Sequence, residues 1–169
     1  KTWNLRSGRA DRGTSLSPWK EDDGFPEVVA FSRDGAWLAR AAGAGVDIWN
    51  LGAEGAPSRV DLPGRPSGIA FRGDDRHIAA AVSGEIGIWD FLTGRKQRSF
   101  EGHRFSVSAV AFSPDGRLLG SVAESEVGIW DVISGRMRDR VNLPGEAFRS
   151  VGFNPSGTWL GVGSDNRVR

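Results

Sequence analysis

Four octapeptides recur along the chain: "VVAFSRDG" at 28–35, "GIAFRGDD" at 68–75, "AVAFSPDG" at 109–116 and "SVGFNPSG" at 150–157. Their phenylalanines, Phe31, Phe71, Phe112 and Phe153, stand 40, 41 and 41 residues apart. A second set follows the first three: "GVDIWN" at 45–50, "EIGIWD" at 85–90 and "EVGIWD" at 126–131. In each unit the tryptophan, Trp49, Trp89 or Trp130, comes 18 residues after the phenylalanine. Two fixed distances, repeated, mark one supersecondary unit copied along the chain. That restricts the architecture more than any composition figure does.

Each unit reads as four short strands. The run before Phe112 places Val107, Ala109 and Ala111 on one side and Val110 and Phe112 on the other, as in a strand buried on both faces. "SPDG" (113–116) turns the chain: Pro114 presets φ and Gly116 suits the last position. "RLLGSVA" is a second strand, "EVGIWD" a third, and "ISGR" turns into a fourth, "MRDRV". No run shows helical periodicity free of Gly or Pro, and the 24 glycines and 8 prolines suit many short strands. A sheet with two apolar faces cannot cover both alone. Radial stacking covers them, which is the β-propeller solution.

The motifs resemble WD40 repeats: "GH" at Gly102–His103, "VAFSPDG" at Val110–Gly116, and "IWD" at Ile129–Asp131, on a period of about 40 residues. The expected fold is therefore an all-β propeller of WD40 type with four-stranded antiparallel blades, about four blades' worth of chain. The domain division expected is the end of one blade plus an inserted loop at 1–23, blades at 24–63, 64–104 and 105–145, and the start of a further blade at 146–169. The resemblance implies a buried polar network, and residue by residue the third full unit offers His103, Ser121, Glu124 and Trp130. Glu124 departs from the family's Asp, and the other units lack the His. At the acidic position they have Gly43, Ser83 and, last, Asp165. These blades are expected to be held more by packing than by that network.

Trp3, Trp49, Trp89 and Trp130 share one repeat position and are expected in the inter-blade core. Trp37 and Trp159 follow the first turn at equivalent positions and are expected to pack alike. Trp19 falls outside the repeat, in "GTSLSPWKEDDGFP" (13–26); recognition by that loop and folding back onto a blade stay equally open. Arg95, Lys96, Arg98, Arg136, Arg138 and Arg140 cluster on fourth strands, outermost in a blade. Protection of an exposed sheet edge explains them better than a basic band for a polyanion.

Composition narrows the function. With 22 Lys+Arg against 21 Asp+Glu the net charge is +1, which argues against nucleic acid as the partner. The chain has no cysteine, which removes disulfides and thiolate chemistry and fits a cytoplasmic location. No apolar run nears the ~18 residues of a membrane helix, so no membrane partner is expected. His77 lies beside Asp74 and Asp75, a set read as a solvated turn rather than a metal site. No serine sits in a "G-x-S-x-G" elbow, and no cofactor, metal or catalytic residue is expected. Catalysis elsewhere in a parent chain stays open.

Binding remains. The resemblance implies that loops entering each inner strand face partners. The matching positions and their neighbours are Phe25, Glu27, Arg65, Ser67, Arg104, Phe105, Ser106, Phe148 and Arg149. Arg and aromatic side chains are common at interaction hot spots. The expected function is a non-catalytic scaffold for a protein or peptide partner. Its alternatives are a structural segment of a larger assembly and the sensor propeller of an enzyme or signalling protein. Phe153 plus 18 sets the next tryptophan at position 171, beyond Arg169, and Lys1 lies two before Trp3. Both ends thus fall in the same third strand. The expectation is a fragment of a larger propeller, completed by the remainder of a longer parent chain or by a second copy.

Overall fold

In the computed structural model the described residues are 28–53 and 55–165, with the backbone of Trp3–Asn4 and Arg9–Ala10. These last two pairs are strands β1 and β2, an antiparallel pair in which Trp3 lies opposite Ala10. Three four-stranded antiparallel sheets follow. The first is β3 (Val29–Phe31), β4 (Trp37–Ala41), β5 (Gly45–Asn50) and β6 (Ser58–Asp61). The second is β7 (Gly68–Phe71), β8 (His77–Val82), β9 (Glu85–Asp90) and β10 (Arg95–Phe100). The third is β11 (Ala109–Phe112), β12 (Leu118–Ala123), β13 (Glu126–Asp131) and β14 (Met137–Asn142). A pair, β15 (Phe148–Phe153) and β16 (Leu160–Ser164), comes last. Within each sheet the strands pair in sequence order, so the fold is a meander of repeated blades. The described residues hold no helix.

The third-to-fourth strand register repeats. Trp89 lies opposite Lys96 and Trp130 opposite Met137, the spacing that Trp3 has to Ala10. The backbone of β1–β2 therefore has the register of the outer half of a blade. The side chain of Trp3 lies outside the described residues, as do Trp19 and its loop.

The turns have local causes. Between β11 and β12, the Ser113 hydroxyl donates to Asp115 at 2.6 Å and accepts from the Leu118 amide at 2.9 Å. Ser32 and Asp34 build the same turn between β3 and β4. Such side-chain bonds are why Ser and Asp favour turns. The last turn residue takes a left-handed φ of 74° at Gly35, 67° at Gly116 and 72° at Gly157. In the second blade Asp75 occupies that place, at φ 51°. After the tryptophan, Asp90 accepts from the amides of Leu92 and Thr93, and Asp131 from that of Ser134, which folds the third-to-fourth strand turn.

Packing follows strand alternation. One face of the second sheet, carrying Ile69, Phe71, Ile78 and Trp89, is buried with Val46, Ile48 and Val60 of the first sheet. Its other face, carrying Ala79, Ala81, Ile86 and Ile88, is buried with Val110, Leu119 and Trp130 of the third. Trp49, Trp89 and Trp130 are all buried, and the last two pack between blades. Aromatic pairs cross the same joints. Trp37 meets Phe91 edge-on at 5.0 Å, and Phe100 meets Trp130 at 5.7 Å. Trp159, expected to pack as Trp37 does, is 76% exposed. Trp37 is covered by the sheet after it, and no described sheet follows β16.

One turn carries a correctable strain. A left-handed φ costs a residue with a Cβ roughly 1–2 kcal/mol, less for Asp. Asp75 also buries an Oδ1 that has no hydrogen-bond partner. Asp75→Gly, matching the other three turns, is expected to raise unfolding stability by up to about 1 kcal/mol. Urea denaturation checks this; a loss of stability would contradict the account of the turn.

Candidate functional site

The third blade carries a buried polar chain. The Trp130 indole N–H donates to the Ser121 hydroxyl at 2.7 Å. Ser121 lies 2.6 Å from His103 Nε2, and His103 Nδ1 lies 3.2 Å from Glu126 Oε2. Burial, the largest influence on the imidazole, pushes its pKa down, against the hydrogen bond and charge of Glu126. The imidazole is thus neutral near pH 7. On Glu126 burial pushes up, but the bonds from His103 and the Arg104 amide, with the charge of Arg140, outweigh it and hold the carboxyl below its ordinary value. A carboxylate only accepts, so Nδ1 carries the proton and Nε2 accepts from Ser121. The donors therefore run one way: Trp130 to Ser121 to His103 to Glu126.

The carboxylate is the correction. Glu124 was expected in this network, and Glu126 fills the role. Glu124 sits in the β12–β13 hairpin at φ 48°, with its side chain exposed. Gly43 at 54° and Ser83 at 57° take the equivalent place in the other blades. That position serves the backbone turn. Glu126 opens β13, is buried, and accepts from both His103 and the amide of Arg104. It could be noticed in the sequence only as an acidic residue ahead of the apolar run Val127–Trp130.

Trp49 and Trp89 meet cations instead. Arg40, nine residues after Phe31 as Ser121 is after Phe112, lies over Trp49 at 5.3 Å and pairs with Asp47 at 3.1 Å. Lys96 lies over Trp89 at 5.3 Å and pairs with Glu85. A Cβ on Gly87 would fall inside the contact distance of the Trp89 ring, so the glycine makes room for it. Blades without the His thus keep a polar or charged group at the tryptophan.

The predicted rim divides. Arg104, Phe105 and Ser106 are exposed on the loop that Glu126 anchors through the Arg104 amide. Phe105 is 41% exposed and the Arg104 side chain 74%. Arg65 and Ser67 are exposed at the entrance to β7, where the Ser67 hydroxyl donates to the carbonyls of Val107 and Ala81. Arg149 is exposed and pairs with Asp165 at 3.3 Å. Phe148 is a second correction: it is 1% exposed, packed with Val122, Val127 and Val162. It is the first residue of β15, and its side chain turns into the joint with the third sheet. Phe25 and Glu27 lie outside the described residues.

Elsewhere, Arg95, Lys96 and Arg98 are exposed on β10, and Arg138 and Arg140 on β14, each the outer strand of its sheet. His77 Nδ1 meets Asp74 at 2.8 Å, and Asp74 also accepts from the amides of Arg76 and His77. That carboxylate is engaged in its turn. Among the described residues no group of three or more His, Cys, Asp or Glu could hold a metal ion.

The network sets a pH dependence. The His103 pKa is lowered on folding from 6.5, so below that value the unfolded chain binds the proton first and stability falls. The Glu126 pKa is lowered from 4.5, so its share of stability is held above that value and lost as pH drops further. Both slopes have one sign. The thermal unfolding temperature is expected to fall from pH 7 to pH 5, and His103→Gln should flatten that segment while lowering stability at pH 7. An unchanged slope in the variant would show that His103 is not the buried neutral group described.

Comparison with known proteins agrees with this geometry. The family model "WD domain, G-beta repeat" (WD40) matches residues 94–131 and 141–169. The first match contains His103, Ser121, Glu126 and Trp130. Protein FIZZY-RELATED 2 of Arabidopsis thaliana is 32% identical over 113 residues, which covers 60% of this chain. The chain spans 23% of that relative's length. Stacked antiparallel sheets, a tryptophan at a fixed place in each third strand and the matched repeats lead to one assignment: residues 94–131 and 141–169 are WD40 repeats, in an all-β chain of β-propeller architecture.

Proposed function

We propose that the chain is a non-catalytic platform that docks a protein or peptide partner on the loops entering its inner strands, with Arg65, Arg104, Phe105 and Arg149 as contacts. WD40 repeats and a similar WD40 protein support a protein-interaction scaffold in general. The observation that carries the finer reading is the loop 103–106. Glu126 fixes its backbone, yet Arg104 and Phe105 remain exposed at its tip. An aromatic ring held outward on a rigid frame loses little entropy on binding, which is how a hot-spot anchor works. Ser67 and Ser106 would line the approach to it. A cytoplasmic location belongs to the same reading. So does completion of the ring by the rest of a longer chain or by a second copy, which the exposed Phe31 and Trp159 support.

Peptides selected by display against the 169-residue chain supply a probe. Phe105→Ala and Arg65→Glu are each expected to weaken the best peptide at least tenfold, about 1.4 kcal/mol. The melting temperature should stay within a few degrees. Unchanged affinity in both variants, with the fold intact, would remove the rim reading.

A further inference from the structure

The inner strands β3, β7, β11 and β15 run from the rim loops to the first-to-second strand turns. Those turns therefore meet on the opposite face. Between them lies a cavity of about 270 Å³. Phe71 and Phe112 line it from the strand ends, Gly73, Pro114 and Pro155 from the turns, and Arg33 stands beside them. None of these residues belongs to the rim or to the His103 network.

Arg33 is what gives the cavity a preference. Its Nη1 donates to the Pro114 carbonyl at 2.7 Å, across 81 residues of sequence. That bond holds the guanidinium over the cavity. Among the described residues no carboxylate pairs with it. Of the acids in these turns, Asp34 is engaged by Ser32 and the Ala36 amide, Asp115 by Ser113 and the Arg117 amide, and Asp74 by Arg72 and His77, while Asp75 buries its Oδ1. The rest of the guanidinium stays free to grip a carboxylate, the ion its planar fork fits. The aromatic and proline lining calls for an apolar group beside that carboxylate. Ligand pockets for whole small molecules run from about 300 to 1,000 Å³. A cavity at the lower edge of that range has room for one large side chain.

We propose that the turn face is a second recognition site, and that it takes an acidic peptide segment: one apolar side chain enters between Phe71 and Phe112 while an adjacent carboxylate meets Arg33. The site is independent of the rim, so either can fail alone.

Three acetylated, amidated hexapeptides with Asp-Phe, Asn-Phe or Asp-Ala at the centre test it by NMR titration of the full 169-residue chain. Asp-Phe is expected to move the amides of Arg33, Gly73, Phe112 and Ser113, with the other two at least tenfold weaker. Arg33→Gln should remove the difference between Asp-Phe and Asn-Phe, and Arg33→Glu should make Asp-Phe bind more weakly than Asn-Phe. Equal affinity for Asp-Phe and Asn-Phe, no shift at the turn residues, or shifts confined to the loop around Phe105 would each overturn the proposal. The peptide comparison on the unmodified chain decides the matter even where an Arg33 variant folds poorly.

Discussion

A sheet that is apolar on both faces must have a neighbour on each side, and the rest of this structure depends on that constraint. In the second blade, alternation sends Trp89 and Phe71 toward the first sheet and Ile86 and Ile88 toward the third. Neither set can be exposed cheaply, since a fully buried large side chain contributes roughly 1.5–3 kcal/mol. The tryptophans sharpen the joints by shape. Phe100 stands edge-on to Trp130 and Phe91 to Trp37, so the first three blades meet ring against ring. The same constraint explains the two exposed aromatics at the limits of the stack. Phe31 and Trp159 occupy repeat positions that a neighbouring sheet covers elsewhere.

Polar groups at the joints are adapted blade by blade. The third blade uses a directional chain from Trp130 to Glu126, every donor with an acceptor. The first sets Arg40 and Asp47 at its tryptophan, and the second Lys96 and Glu85. In the third blade burial makes such completeness necessary, because an unpaired polar atom there costs about 1–3 kcal/mol. The network also links core to surface. Glu126 bonds the amide of Arg104, so the buried chain fixes the loop that presents Phe105.

Much of the fold was legible in the sequence because a repeat fixes distances. The 18-residue gap from Phe to Trp placed first and third strands, and "SPDG" placed the turn from first to second. The site was less legible. Glu124 and Glu126 are two residues apart, and sequence alignment favours the first. The backbone decides otherwise, since the hairpin puts Glu124 at a left-handed φ with its side chain outward. Phe148 was misplaced for a related reason: a loop neighbour in sequence is already the first strand residue in space. Trp159 shows a third limit. Its equivalence to Trp37 is sound, but exposure depends on what lies beside the sheet. The pairing of Arg33 with a carbonyl 81 residues away carried no sequence signal at all.

The central claim is that aromatic contacts across the joints couple one blade to the next. A double-mutant cycle on Phe100→Leu and Trp130→Phe measures it directly, with unfolding free energies of the two single variants and the double. Phe100 ends the outer strand of the second blade and Trp130 lies in the third, 5.7 Å apart and edge-on. Aromatic pairs of this geometry couple by about 0.5–1.5 kcal/mol beyond their burial. The account predicts a coupling energy in that range. Additive losses, with no coupling, would mean that the blades adhere by burial alone and would contradict it.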